Sequence, residues 1–161
     1  RKASAVAHGG MMAGNGFNNA YSVVTLNALI GNLNWKGGFI INGGGDILVR
    51  SPKPIEFALE HPVDASKQIG STRIQQGALA VSSSIKRSWQ SSGQRQHHII
   101  DPRTGKPSES DIVSSYIRVD SALVADVCAT VLLIAPGLEE RLSSAYPHLK
   151  AILIRHDQLD S

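Results

Sequence analysis

The stretch "SALVADVCATVLLIAPG", residues 121–137, is the strongest helical signal in the chain and the one that decides its fold class. Ser121 can cap the first turn, and Pro136-Gly137 supplies a stop. The residues that flank Asp126 are apolar, so we expect its carboxylate to be half-buried. A buried carboxylate needs a cation or hydrogen-bond donors, which makes this helix a candidate part of a binding site.

Two oxygen-bearing side chains in that helix have the spacing of a metal site. Asp126 and Thr130 are four residues apart, so both project from one face of the helix. A carboxylate and a hydroxyl are hard donors, and they could hold Mg²⁺ if a backbone carbonyl, waters and phosphate oxygens completed the octahedron. The alternative interpretation is the polar stripe of a surface helix.

Segments with strand or helix patterns surround this helix without a regular βαβ alternation. That mixture predicts an α+β fold with a mixed or antiparallel sheet and packed helices, in a single domain over residues 1–161. Pro52 and Pro54 are expected to interrupt the chain between strands. Strand patterns cover residues 37–49, 55–61, 78–82, 97–100, 112–119 and 149–155, and further helix patterns cover residues 17–32 and 138–146.

"HHIIDPRTGKP", residues 97–107, joins a short strand to a turn. In an extended segment His98 and Ile100 share one face while Ile99 and Asp101 share the other. One interpretation is a strand that ends in an Asp-Pro turn, with Asp101 capping its own loop. The other is a ligand site at the end of the strand, built from His98, Asp101, Arg103 and Thr104.

"NGGGDI", residues 42–47, places Gly44 and Gly45 directly before Asp46. Glycines at this point permit a tight turn, a bulge or close approach of the backbone to a ligand. Taken alone, the tight turn is the simpler interpretation. The pattern is neither a dinucleotide fingerprint nor a P-loop, because no GxGxxG opens a helix and no GKS or GKT follows.

The amino-acid composition narrows the classes of protein to which the chain could belong. With 161 residues, 42% hydrophobic and 18% charged, the chain is long enough for one domain with a sizeable core. The net charge of +3 is scattered, so we predict no nucleic-acid partner. Cys128 is the single cysteine, which excludes an intrachain disulfide. No apolar run reaches the ~18 residues of a membrane span, and no signal peptide is visible, but a chain beginning at Arg1 leaves an exported precursor open.

A serine cluster offers a different class of function. Ser82, Ser83 and Ser84 with His97 or His98 could form a small hydrolase site. No GxSxG motif and no clear third member accompany them. We carry this hydrolase as an alternative from another class.

Read in order, the motifs resemble the C-terminal half of the ApbE family, the FAD:protein FMN transferases, whose members are about twice as long. The two most specific matches are "HHIIDPRTGKP" and "VADVCATVLLIAPG", which correspond to the family's His-containing turn and its Ala-Asp-x-x-Ala-Thr helix. Weaker matches are "HGGMMAG", "INGGGDILV", "FALEHPVD" and "GALAVSSSIKR".

The resemblance implies a concrete chemistry. Such enzymes bind FAD and Mg²⁺, cleave the diphosphate, and attach FMN to a Thr or Ser of a target flavoprotein. Asp126 and Thr130 match the side-chain metal ligands, and Gly10 matches the backbone ligand. His98 and Asp101 are the residues we assign to catalysis. Ile100 matches a main-chain contact to the flavin nucleotide, and we assign further cofactor contacts to Arg103, Thr104, Gly44, Gly45 and Asp46.

Departures from the family pattern keep a second hypothesis open. Ala7 and Ala13 stand where the family has an acidic residue and a Lys or Glu, and the N-terminal half of the family is absent. The chain could therefore be a non-catalytic relative that binds a flavin nucleotide, or a half-protein that needs a partner chain. Apolar surface where the other half packs would favour self-association. Family members are usually exported and membrane-tethered in bacteria, but this sequence alone gives no localisation.

Overall fold

A five-stranded antiparallel sheet forms the main layer of the computed structural model, which describes residues 39–42, 45–91 and 93–159. The spatial order is β1-β2-β3-β8-β9. Two short two-stranded sheets lie between β3 and β8 in sequence. The strands are β1 (Phe39–Asn42), β2 (Ile47–Glu60), β3 (Gln68–Ser83), β4 (Ser88–Ser91), β5 (Gln94–His97), β6 (Ile100–Asp101), β7 (Lys106–Pro107), β8 (Ile112–Val119) and β9 (Lys150–Arg155).

One face of this sheet is covered by helix α1 (Ala122–Ile134). Ser121 caps it, as predicted, because its side chain accepts a hydrogen bond from the amide of Val124. A 3₁₀ turn (Pro136–Leu138) and helix α2 (Glu139–Ala145) follow. The apolar side of α1 packs on β3 and β8, and the buried cluster between them contains Ala78, Ala80, Ile117, Val119, Ala125, Cys128, Ala129, Leu132 and Leu149.

The other face of the sheet is covered by its own long hairpin. Strands β2 and β3 pair over most of their length, with an irregularity between Arg50 and Ile55. Pro52 and Pro54 fall in that gap, since proline cannot donate a ladder hydrogen bond. The expectation that they end the strand is wrong, because β2 continues through them to Glu60. A second buried cluster forms on this face from Val49, Leu59, Ile74, Leu79 and Tyr116.

A single hydrogen bond ties the far end of that hairpin to the central strand. The Tyr116 hydroxyl on β8 donates to the carbonyl of Glu60 at the end of β2, over 2.5 Å. Tyr116 is 4% exposed, so the bond is shielded from water. Burial also raises the pKa of the Tyr116 phenol, which keeps it a donor.

Most of the expected elements are present. The α+β class is confirmed, and strand β8 and helices α1 and α2 lie where the patterns predicted them. The predicted strand over residues 97–100 is wrong in detail, because β5 ends at His97 and β6 begins at Ile100. The predicted helix over residues 17–32 lies outside the described residues, so a single domain over residues 1–161 stays a prediction. Within the described part, no helix is long and apolar enough to cross a membrane.

Replacement of Tyr116 by Phe should lower the free energy of unfolding by about 1 kcal/mol, because the Glu60 carbonyl loses its buried donor. Urea titration of the two proteins measures the difference. Tyr146→Phe is the matched control, since that side chain is 38% exposed and should change little. Equal losses in both variants would show that the Tyr116 bond contributes nothing specific.

Candidate functional site

Helix α1 carries a polar edge beside its buried face. Asp126 and Thr130 lie one turn apart on that edge, as predicted. Thr130 is half-buried, whereas Asp126 is exposed. The expectation of a half-buried Asp126 is therefore wrong, because the neighbouring Ala125 is the residue that faces the core. The helix presents a solvent-accessible carboxylate above a partly shielded hydroxyl.

A second carboxylate reaches the same place from the start of β2. Asn42 pairs with Ile47, so the chain reverses direction between β1 and β2. Gly45 has φ +135°, a backbone conformation that favours glycine, and Asp46 follows it. Gly44 lies outside the described residues.

Asp126 is close enough to Asp46 to influence the ionisation of the Asp46 carboxyl. Burial raises the pKa of the Asp46 carboxyl, and the negative charge of Asp126 raises it further. A hydrogen bond from the backbone of Val81 acts in the opposite direction. In the part of the chain that the structure describes, no ion pair neutralises either carboxylate. The fold thus gathers negative charge at this point.

A third element, β3, completes this cluster. The hydroxyls of Ser82 and Thr130 are 3.0 Å apart and share a hydrogen bond. The sequence patterns did not predict the contact of Ser82 with the helix. The available signal was the alternation along β3, which places Ser82 in line with Ala78 and Ala80, both in the cluster under α1.

The turn after β6 is held by Asp101. Its carboxylate accepts hydrogen bonds from the Arg103 side chain, from Nε at 2.9 Å and from the terminal nitrogen at 2.6 Å. It also accepts one from the Arg103 amide at 2.9 Å. The Asp101 carbonyl accepts from the amides of Thr104 and Gly105. These bonds confirm that Asp101 caps its own loop.

The two adjacent histidines have different environments. His97 is 9% exposed, and its Nε2 lies 3.0 Å from the Ser108 carbonyl, which can only accept a hydrogen bond. His98 is exposed, and its Nδ1 lies 3.3 Å from the Arg87 carbonyl. In each ring the nitrogen facing a carbonyl must carry the proton. His98 in its neutral form therefore presents an unprotonated Nε2.

This histidine-bearing loop is anchored beside the last turn of α1. The predicted alternation is confirmed, since Ile99 and Asp101 are buried while His98 and Ile100 are exposed. Ile99 forms a buried cluster with Ile112 and Leu133. Leu133 is seven residues beyond Asp126 and three beyond Thr130, so these three share one side of the helix. The loop and the two α1 oxygens thus lie at the same end of the fold.

The described residues contain no group of three or more His, Cys, Asp and Glu side chains able to hold a metal ion. A cation at this site would therefore have Asp126, Asp46 and hydroxyl oxygens, and would need ligands from elsewhere. The predicted backbone ligand, Gly10, lies outside the described residues.

Among the residues that the structure describes, the serine cluster has no nucleophile–base contact. Ser82 is bonded to Thr130, and the hydroxyls of Ser83 and Ser84 donate to the carbonyl of Val113. These hydroxyls are thus engaged with a helix and a strand rather than with an imidazole.

A cavity of about 340 Å³ lies at the opposite end of the sheet, away from these oxygens. His148 and Asp120 at its edge are bonded over 2.7 Å. It is lined by Gln76, Arg118, Val119, Asp120, Pro147, His148 and Lys150.

The chain belongs to the ApbE family, whose model matches residues 11–153. An FAD:protein FMN transferase from Klebsiella pneumoniae is 32% identical over 94 residues, which cover 58% of this chain and 29% of that protein. The chain thus spans less than a third of the length of this relative. A 44-residue stretch is 66% identical to part of a tetrathionate reductase from Salmonella typhimurium, but it covers only 4% of that protein and carries no argument about activity.

The fold is shared with solved structures of the family. The ApbE protein from Thermotoga maritima superposes with a TM-score of 0.69 at 23% identity, over 86% of this chain and 47% of that one. At this identity the likeness shows the architecture alone. The chain therefore has the fold of about half of that protein.

Asp101→Asn should destabilise the protein at neutral pH. The hydrogen bonds of Arg103 hold the pKa of the Asp101 carboxyl below its usual range, so they stabilise the fold above the unfolded pKa. That contribution is lost as pH falls through the lower folded pKa. Urea titrations at several pH values should show a difference from the parent that shrinks below about pH 4. Glu109→Gln, at an exposed side chain, is the control, and a pH-independent loss in Asp101→Asn would contradict this account.

Proposed function

We propose that this chain forms the cation- and nucleotide-binding half of a Mg²⁺-dependent flavin transferase, which cleaves FAD and transfers FMN to a Thr or Ser of a target flavoprotein. The observation that carries the proposal is the Asp126 carboxylate one helical turn from the Thr130 hydroxyl, which is bonded to Ser82 on the neighbouring strand. Asp46 lies close enough for the charge of Asp126 to raise its pKa. The relatives named FAD:protein FMN transferase supply the class of reaction. Because the chain spans only part of them, their activity is here a proposal.

The donor set fits Mg²⁺ better than a softer metal. Mg²⁺ is usually bound by one or two carboxylates, with waters and substrate phosphates in the other positions. Asp126 and Thr130 would be ligands, with Asp46 beside them and Gly10 as the proposed backbone ligand. The cation would neutralise negative charge that builds on the diphosphate as it is cleaved. No imidazole or thiolate is needed, in agreement with the buried position of Cys128.

His98 would be the base that takes up the proton of the acceptor hydroxyl. In the proposed transfer the acceptor hydroxyl oxygen bonds to the FMN-side phosphorus, the bond from that phosphorus to the bridging oxygen breaks, and AMP leaves. The hydroxyl proton would pass to Nε2 of His98, because Nδ1 is occupied by the Arg87 carbonyl. An exposed ring at the end of a short strand can meet the side chain of another protein.

The turn after β6 would shape the nucleotide side of the site. Asp101 fixes Arg103 by three side-chain hydrogen bonds, and the Arg103 side chain is still 69% exposed. Its remaining N–H groups can donate to a phosphate. Exposed Ile100 offers its main chain, and Thr104 its hydroxyl, at the same turn. Gly44 and Gly45, which precede β2, would let the backbone there approach the ligand closely.

A second candidate function is a half-protein that binds a flavin nucleotide only with a partner chain, or a non-catalytic relative. The observation that favours it is apolar surface on α1, where Leu123 is 73% exposed and Val127 is 51% exposed. Ala7 and Ala13 also lack the charges that the family pattern carries there. We also propose that the chain interacts with an acceptor flavoprotein and that it self-associates.

The full chain, incubated with FAD, Mg²⁺ and an acceptor protein carrying a target threonine, should release AMP and yield a flavin-labelled acceptor. Asp126→Asn should lower the rate by at least the roughly 10–100-fold that loss of an outer-shell partner costs, because Asp126 would be a direct metal ligand. Chromatography of AMP and in-gel flavin fluorescence measure both products. Asp157→Asn, at an exposed carboxylate, is the control. Flavin bound without AMP release would support the second candidate, and an unchanged rate in Asp126→Asn would remove it from the metal ligands.

His98→Asn should lower AMP release about 10²–10⁴-fold, the usual contribution of a general base. The asparagine amide nitrogen takes about the place of Nδ1 and can still donate to the Arg87 carbonyl, but it cannot take up a proton. The loss should therefore match that of His98→Ala. His148→Ala changes an exposed histidine at the cavity on the opposite end of the sheet, and it should leave the rate unaltered. Turnover at the parent rate in either His98 variant would exclude a catalytic role.

A further inference from the structure

The hydroxyl pair formed by Ser82 and Thr130 joins the central sheet to the polar edge of α1 that carries Asp126. The two oxygens are 3.0 Å apart, although the residues are 48 positions apart in sequence. Ser82 continues the row of β3 residues that face α1, after Ala78 and Ala80. Its side chain thus lies under the helix at the level of Thr130.

A hydroxyl that ligates a cation cannot point its proton at the cation. One oxygen lone pair faces the metal, so the O–H bond must point elsewhere and find an acceptor. Ser82 Oγ is the hydrogen-bonding partner that the structure gives the Thr130 hydroxyl. Outer partners of this kind fix the orientation of metal ligands.

We infer that Ser82 is a positioning residue, which accepts the Thr130 proton and aims the Thr130 lone pair at the cation. This inference rests on the proposed cation site. It assigns Ser82 no contact with the cation or the nucleotide. Ser82 would act only through the Thr130 hydroxyl. Its effect on cation binding should therefore disappear when that hydroxyl is removed, whereas an effect of packing would remain.

The fold supplies a matched control at the neighbouring strand. Ser115 is the cross-strand partner of Ser82 on β8, so the two side chains leave the sheet on the same face. Ser115 is fully buried, and its Oγ has no hydrogen-bond partner among the described residues. Ser115→Ala removes a hydroxyl from the same face of the sheet without removing the hydrogen bond of Thr130.

Binding of Mn²⁺, a paramagnetic substitute for Mg²⁺, tests the inference on the full 161-residue chain. Electron paramagnetic resonance of free Mn²⁺ gives the Kd. Ser82→Ala should raise the Kd about tenfold, in the range seen when an outer-shell partner is lost. Ser82→Thr, which keeps the hydroxyl, should restore tight binding, and Ser115→Ala should leave the Kd at the parent value.

A double-mutant cycle separates positioning from packing. Thr130→Val removes the ligating hydroxyl but keeps the shape of the side chain. Ser82→Ala should then cause no further loss of Mn²⁺ affinity in the Thr130→Val background, because the hydroxyl it orients is gone. A further tenfold loss in the double variant would overturn the inference.

The Mn²⁺ measurements separate a failure of the proposed cation site from a failure of the role inferred for Ser82. A parent chain that binds no Mn²⁺, or an Asp126→Asn variant that binds it as the parent does, overturns the cation site and the inference together. Mn²⁺ binding that is weakened by Asp126→Asn but not by Ser82→Ala overturns the role of Ser82 alone.

Discussion

The packing of the apolar face of α1 on β3 and β8 is the interaction on which the rest of the structure depends. Leu132 and Leu133 are 0–1% exposed, and burial of each side chain contributes about 1.5–3 kcal/mol. The hydrogen bond between Ser82 and Thr130 contributes about 0.5–1.5 kcal/mol. Hydrophobic burial therefore places the helix, and the hydroxyl pair only orients a side chain on it.

The roughly 3.6-residue period of α1 determines which of its side chains lie beside the proposed cation site. Asp126, Thr130 and Leu133 share one side of α1, so the residue that anchors the histidine-bearing loop lies on the same side as the two oxygens. The turn before β2 brings Asp46 against Asp126, where burial and like charge both raise the Asp46 pKa. A divalent cation would relieve that repulsion, which connects the sheet packing to the proposed chemistry.

Local patterns were sufficient for much of the fold and for part of the site. The cap and stop of α1, strand β8 and the alternation from His98 to Asp101 depend on neighbouring residues and were predicted correctly. Contacts between distant residues could not be predicted this way: Ser82 meets Thr130 across 48 positions. The path of β2 through Pro52 was also missed, because a bulge lets a strand continue past a proline.

The proposed role of the α1 oxygens is to hold a divalent cation next to a nucleotide diphosphate. Isothermal titration calorimetry of FAD into the purified chain, with Mg²⁺ and then with EDTA, measures whether FAD binding depends on that cation. FAD should bind measurably with Mg²⁺ and at least tenfold more weakly with EDTA. Equal FAD affinity in both conditions would rule out the cation site.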